Sequence, residues 1–175
     1  DEDAMAEGLR RVEWPARMQR LKAGRLTGLA GPERELWLDG GHNPSGGAAV
    51  AHSIAELEQR APRPLVIVWG MLDTKDARAF IRPFKGLARA VVALAIPGEP
   101  NAMAAAELVH IARSEGIAAE SATSIEEAVD RAASRADNAR ILITGSLYLA
   151  GRALALHRGE TTSAVSGTAR QPSIG

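Results

Sequence analysis

Between Glu35 and Leu156 the chain alternates short apolar runs with stretches of helical periodicity. This alternation limits the fold more than any other feature. Leu65-Val-Ile-Val-Trp69 is an uninterrupted apolar run, the pattern of a strand covered on both faces. Glu35-Leu-Trp-Leu-Asp39, Arg89 to Ile96 and Ile141-Leu-Ile-Thr144 read as further strands, and residues 117–120 as a weak one. Between them lie helical stretches. Val50, Ile54 and Leu57 fall at i, i+4 and i+7 on one stripe. A second helix runs from Asp76 to about Phe84, and a third over 102–115, ending at Gly116. Ser124 caps a fourth, with Glu127 completing a capping box and a stripe of Ile125, Ala128, Val129, Ala132 and Ala136. A last short helix follows Gly145-Ser146 and runs to about Leu156. Strands alternating with helices predict an α/β fold: an open, mostly parallel, Rossmann-like sheet with helices on both faces.

The flanks read differently. Residues 1–9 look like the end of a helix capped by Gly8, and Arg17 to Leu29 like irregular strand. From Arg158 small and polar residues dominate without a stripe, which predicts a disordered tail over 158–175. The expected organisation is the end of a preceding domain or linker over 1–10, one domain over 11–157, and that tail.

Composition sharpens the class. At 175 residues there is room for one domain with a sizeable core. Aromatics are only 3 % while apolar residues reach 46 %, so Ala, Leu, Val and Ile must fill the core. Lys plus Arg equals Asp plus Glu at 21 each, which argues against a nucleic-acid or anionic-membrane partner. The absence of cysteine excludes disulfides and thiolate metal sites. No apolar run approaches the roughly 18–20 residues of a membrane span. The first ten residues are acidic and polar, unlike a secretory signal, so a cytoplasmic location is expected.

Parallel sheets bind ligands beyond the carboxyl ends of their strands, and three strand-to-helix loops are chemically unusual. In Asp39-Gly-Gly-His-Asn-Pro44 a carboxylate ends the strand, two glycines admit close backbone approach, and a helix N-terminus beyond offers N–H groups to an anion. The plainer reading is a tight turn with Asn43 or Ser45 as cap. It is not a Walker A loop, since Gly47 follows Gly46 where lysine is required. Gly70-Met-Leu-Asp-Thr-Lys-Asp76 carries Lys75, one of three lysines; it is either a ligand cation or a solvated residue beside an Asp76 cap. In Thr144-Gly-Ser-Leu-Tyr148, Ser146 stands at an N-cap position and Tyr148 is the sole tyrosine. His52 and His110 lie within helices without partners at metal spacing, and Glu126, Glu127 and Asp130 read as a solvated helix face.

Trp14-Pro-Ala-Arg17, Asp39-Gly-Gly-His-Asn-Pro44, Gly70-Met-Leu-Asp-Thr-Lys-Asp76 and Gly145-Ser-Leu-Tyr-Leu-Ala-Gly151 occur in this order. Together they resemble the C-terminal domain of the folylpolyglutamate synthase/dihydrofolate synthase family of the Mur ligase superfamily. The resemblance covers about residues 5 to 156. Two small departures exist: Ala16 and Gly41 stand where the family usually has Gly and Ala.

The resemblance implies an ATP-dependent ligase that joins L-glutamate to dihydropteroate or a folate through an acyl phosphate. It implies that the phosphate loop and the Mg²⁺ ligands lie in an N-terminal domain that this chain lacks, so that the chain alone is inactive. Arg17, Asp39 and His42 would face ATP. Lys75, Ser146 and, less directly, Tyr148 would hold the incoming glutamate. Such a site suits the chemistry, because fixed cations stabilise the charge that develops on the phosphoryl group and on the tetrahedral oxyanion. Two other readings remain open on sequence: a related amino-acid ligase acting on a cell-wall precursor, and a stand-alone nucleotide- or anion-binding module.

Overall fold

The computed structural model describes residues 17–160. The helix end expected over residues 1–9, the Trp14-Pro-Ala segment and the tail beyond Glu160 lie outside the described residues.

Six strands form one sheet: β1 (Gln19–Arg20), β2 (Glu35–Leu38), β3 (Leu65–Trp69), β4 (Ala88–Ala93), β5 (Ala119–Ser121) and β6 (Arg140–Thr144). Their order across the sheet is β1-β2-β6-β3-β4-β5. All pairs are parallel except β1 with β2. The helices are α1 (Arg25–Ala30), α2 (Pro44–Arg60), α3 (Ala77–Ile81), α4 (Ala105–Ser114), α5 (Ile125–Ala133) and α6 (Leu147–His157).

The strands are apolar throughout because both faces are covered. In β3, Val66 and Val68 join the core beneath α1, α5 and α6, while Leu65, Ile67 and Trp69 join the core beneath α2, α3 and α4. β6 divides the same way, with Ile141 and Ile143 on one side and Leu142 on the other. The few aromatics concentrate in the second layer, where Trp69 stacks on Phe80 at 6.5 Å between ring centres and Phe80 meets Phe84. α2 comes close to α3 because Gly47 has no side chain; a Cβ there would lie 2.4 Å from the Phe80 carbonyl oxygen.

Three local expectations change. Only Gln19–Arg20 of the irregular segment is strand, and Arg25–Ala30 is helix. Leu26 and Ala30, one turn apart, carry the buried face, and the intervening Gly28 thinned the periodic signal. The helix read over 102–115 begins at Ala105, because Ala102 and Met103 are drawn into extended contact with the loop after β3: Met103 N–H donates to the Met71 carbonyl at 2.8 Å. The capping box at α5 is shifted by one residue. Ser124 Oγ accepts from Glu127 N–H at 3.1 Å, but the Glu127 carboxylate reaches back to Thr123 N–H and Oγ1, both at 2.7 Å.

The amino ends of the central strands are closed by charge. Arg140 is 1 % exposed and donates to Glu35 Oε2 at 3.0 Å, Glu58 Oε2 at 3.3 Å and the Ala61 carbonyl at 2.9 Å. Burial alone would raise the Glu35 carboxyl, but hydrogen bonds from Trp37 and Arg140 and the charges of Arg140 and Arg20 hold it below its ordinary range.

Candidate functional site

The strand order puts the carboxyl ends of β2, β6 and β3 side by side, in register at Leu38–Ile143 and Trp69–Thr144. β2 and β3 follow one another along the chain, yet β6, the last strand, lies between them. This is the point where the connections switch faces of the sheet, the usual ligand position in such folds. The three unusual loops are therefore neighbours.

Their backbones are tied together. Gly145 N–H donates to the Gly41 carbonyl at 3.1 Å, and Gly70 N–H to the Thr144 carbonyl at 3.3 Å. Gly145 has φ +113°, and a Cβ there would lie 2.5 Å from the Gly70 carbonyl oxygen, so only glycine fits. The loop after β3 is braced from the far side as well, by Asp73 N–H donating to the Asn101 carbonyl at 2.9 Å.

Two recesses open on this edge. One, of about 400 Å³, is lined by Arg17, Asp39, His42, Asn43, Ser45 and Leu147 among others. The other, of about 230 Å³, is lined by His42, Leu72, Lys75, Ser146, Leu147 and Tyr148 together with Gly145. All six residues singled out from the sequence fall in one recess or the other, and His42 belongs to both. A larger recess of about 680 Å³ lies at the corner of β1, α1 and β2 and shares no residue with these loops. Two of its three lining cations are spent on structure: Arg34 Nε donates to the Ala133 carbonyl at 2.9 Å, and Arg20 pairs with Glu35 at 3.5 Å, while Lys22 is the third. The two smaller recesses are the chemically equipped ones.

In the first recess Asp39 is buried, and each carboxylate oxygen accepts one backbone N–H: Oδ1 from Gly41 at 2.7 Å and Oδ2 from Met18 at 2.9 Å. His42 Nδ1 is 3.1 Å from the Gly40 carbonyl oxygen. A carbonyl only accepts, so Nδ1 carries the proton. Nε2 is then an acceptor on the neutral ring and a donor only on the imidazolium. The neutral ring therefore suits a ligand hydroxyl, and the charged ring a phosphate oxygen.

The N-terminus of α2 offers less than its sequence promised. Pro44 has no N–H, and Asn43 caps the helix by accepting Gly46 N–H at 2.7 Å. Asn43 also takes Gly47 N–H through its carbonyl at 2.9 Å. Ser45 keeps the first available donor.

In the second recess Lys75 is half-buried and makes no ion pair among the described residues. Asp76 beside it is engaged, capping α3 by accepting Ala79 N–H at 2.9 Å. Ser146 is 2 % exposed and caps α6, its Oγ accepting Tyr148 N–H at 3.0 Å. Tyr148 is exposed, and so is Leu147, at 58 %.

The glutamate ligase domain of the Mur ligases matches residues 17–147 as a family. The chain belongs to that family. The domain is 30 % identical over 146 residues to the folylpolyglutamate synthase of Lacticaseibacillus casei, covering 82 % of this chain and 30 % of the relative. Folylpolyglutamate synthase of Mycobacterium tuberculosis, solved with ADP, superposes with a TM-score of 0.73 at 26 % identity, covering 90 % of this chain and 35 % of that one. The bifunctional folylpolyglutamate synthase/dihydrofolate synthase of Yersinia pestis, solved with AMPPNP and a Mn ion, has the same fold, with a TM-score of 0.67 at 22 % identity over 90 % of this chain and 35 % of that one. The ligase domain thus spans about a third of the length of these relatives.

Leu147 is one of the lining residues that sequence reasoning passed over, with Leu72 and Ala49. It borders both recesses and is exposed although apolar. Its sequence signal was its place directly after Ser146, the residue that caps the helix. Among the described residues no group of three or more Asp, Glu or His side chains could hold a metal ion, and no helix is long and apolar enough to cross a membrane.

Proposed function

We propose that this ligase domain forms one wall of the active site of a cytoplasmic, ATP-dependent ligase that adds L-glutamate to a folate or to dihydropteroate. The observation that carries the reading is the pair of adjoining recesses at the carboxyl ends of β2, β6 and β3, joined by His42 and Leu147. One holds Arg17 and His42, groups suited to a nucleotide. The other holds Lys75, a cation suited to an amino-acid carboxylate. The ADP in the mycobacterial relative and the folate-directed names of the relatives support the assignment.

Arg17, Asp39 and His42 make up the nucleotide side. Arg17 can grip a phosphate bidentately. Neutral His42 can accept a ribose hydroxyl at Nε2, while its imidazolium form can meet a phosphate oxygen. Lys75 pairs with a glutamate carboxylate as a point charge, with Ser146 and Tyr148 around it. A preorganised cation of this kind holds the incoming amine near an acyl phosphate without reorganisation as charge develops.

Mg²⁺ and the phosphate loop belong, on this reading, to an N-terminal domain facing these loops. The Mn ion in the Yersinia relative supports a divalent metal in the complete ligase. Among the described residues of this domain no cluster of Asp, Glu or His fits a metal of its own. Closure of the two domains would exclude water, which otherwise hydrolyses the acyl phosphate.

The test is ATP-dependent addition of glutamate to dihydropteroate and to a reduced folate, measured for the full-length gene product and for this domain alone. Activity in the long form and none in the short one is expected. A folded long form without activity on either acceptor would overturn the reading.

A further inference from the structure

Among the described residues, two side chains line both recesses: His42 and Leu147. His42 has a ring nitrogen to offer a ligand. Leu147 has no group that bonds, yet it is 58 % exposed. A single exposed leucine is ordinary on a protein surface; the place of this one is not. Leu29, the other exposed large aliphatic residue among those described, lies on α1 and lines neither recess.

Leu147 is also held firmly. Ser146 before it is 2 % exposed; its Oγ accepts Tyr148 N–H and its carbonyl accepts Ala150 N–H, both at 3.0 Å. Gly145 N–H ties the same turn to the Gly41 carbonyl at 3.1 Å. Behind it, Leu149 and Ala150 are buried in the core. An apolar side chain is thus carried on a fixed helix start to the boundary between the two recesses.

On the ligase reading, the chemistry takes place at that boundary. The phosphoryl group comes from the nucleotide side and the amine from the side of Lys75. The acyl phosphate between them has a second nucleophile to face, which is water. Attack by water at the acyl carbon forms a new C–O bond and breaks the C–O bond to phosphate. Phosphate leaves with the electron pair, and the proton of the water passes to solvent. The acid is regenerated, and ATP is hydrolysed without ligation. A polar side chain at the boundary would hold a water by hydrogen bonds; leucine offers none and fills the space.

We infer that Leu147 is an apolar partition that keeps water from the acyl phosphate, and so sets how tightly ATP use is coupled to glutamate addition. The inference rests on the proposed ligase reading. It goes beyond it by assigning part of the water exclusion to a side chain of this domain, not to domain closure alone.

The test compares wild type, Leu147→Ala and Leu147→Met in the full-length ligase, measuring ADP released and glutamate added with dihydropteroate or a reduced folate as acceptor. The two amounts should match in wild type. In Leu147→Ala, ADP should exceed glutamate added about twofold or more, the ratio reached when water competes with the amine on equal terms. The excess should require the acceptor. In ¹⁸O-labelled water without glutamate, the label should enter the carboxylate of the recovered acceptor. Leu147→Met keeps an apolar side chain of similar volume and should restore coupling. The loss of an exposed side chain should leave the urea unfolding midpoint unchanged.

Matched ADP and product in Leu147→Ala would overturn the inference, even if the overall rate fell. So would an excess that needs no acceptor, label confined to phosphate, or uncoupling that Leu147→Met does not repair. Failure of the ligase reading looks different: wild type itself would then add no glutamate to either acceptor.

Discussion

The backbone N–H of Gly145 donates to the carbonyl of Gly41 at 3.1 Å, joining the loop after the last strand to a loop about a hundred residues earlier in the chain. The two recesses share a wall because of this bond. Gly145→Ala tests how much depends on it. The residue has φ +113°, and the added Cβ would sit 2.5 Å from the Gly70 carbonyl oxygen and 2.8 Å from Trp69 Cδ1. Backbone strain and the clash together should cost at least about 2 kcal/mol in urea unfolding. In the full-length ligase the KM values for ATP and for glutamate should rise together, since both recesses lose their common edge.

Lys75 should behave in the opposite way. It makes no ion pair among the described residues, so Lys75→Met removes little that holds the fold. Unfolding free energy should stay within about 0.5 kcal/mol of wild type. The KM for glutamate should rise tenfold or more, the scale of a lost hydrogen bond to a charged group. An effect confined to the KM for ATP would move Lys75 to the other ligand.

The strands could be read from sequence because burial on both faces leaves an unbroken apolar run, as in Leu65 to Trp69, and no other element produces one so short. The loops were legible because glycines, a cation and caps followed those runs directly. The position of β6 between β2 and β3 was not legible. Strand order is set by which face each crossover packs against, and α5 carries that information only as a stripe whose partner the sequence does not name. α1 was missed because six residues containing a glycine give too short a period to register. The inward turn of Asp39 was equally hidden, since its partner Met18 N–H lies 21 residues away and a backbone donor has no sequence signature.

Arg140 separates stability from function along the same strand. It lies at the amino end of β6, across the sheet from the recesses, with its guanidinium on Glu35, Glu58 and the Ala61 carbonyl. Arg140→Met strands the Glu35 carboxylate in a half-buried position, with Arg63 at 3.4 Å and Arg20 at 3.5 Å as its remaining cations. A loss of about 3 kcal/mol in unfolding free energy is expected, and Glu35→Gln in the same chain should restore part of it. ATP affinity of the surviving folded fraction should not change. A fall in that affinity would mean that the two ends of the sheet are coupled.

His157 gives the domain a stability that depends on pH near neutrality. It is 9 % exposed at the end of α6, with its ring against Gly24, where a Cβ would lie 2.4 Å from His157 Cε1. Burial pushes its pKa below the ordinary imidazole range; a hydrogen bond with the Lys22 backbone opposes the shift, and the Arg158 charge adds to it. The unfolded chain takes up a proton near pH ~6.5, whereas the folded chain does so only at lower pH. Unfolded molecules therefore bind more protons between those two values, and stability rises with pH across that window. The contribution is complete above pH ~6.5 and is lost as pH falls toward the folded pKa. Urea unfolding from pH 5 to 8 should show this slope in wild type and a flatter one in His157→Gln. Equal slopes in the two proteins would show that the protonation sensed near neutrality occurs at another group.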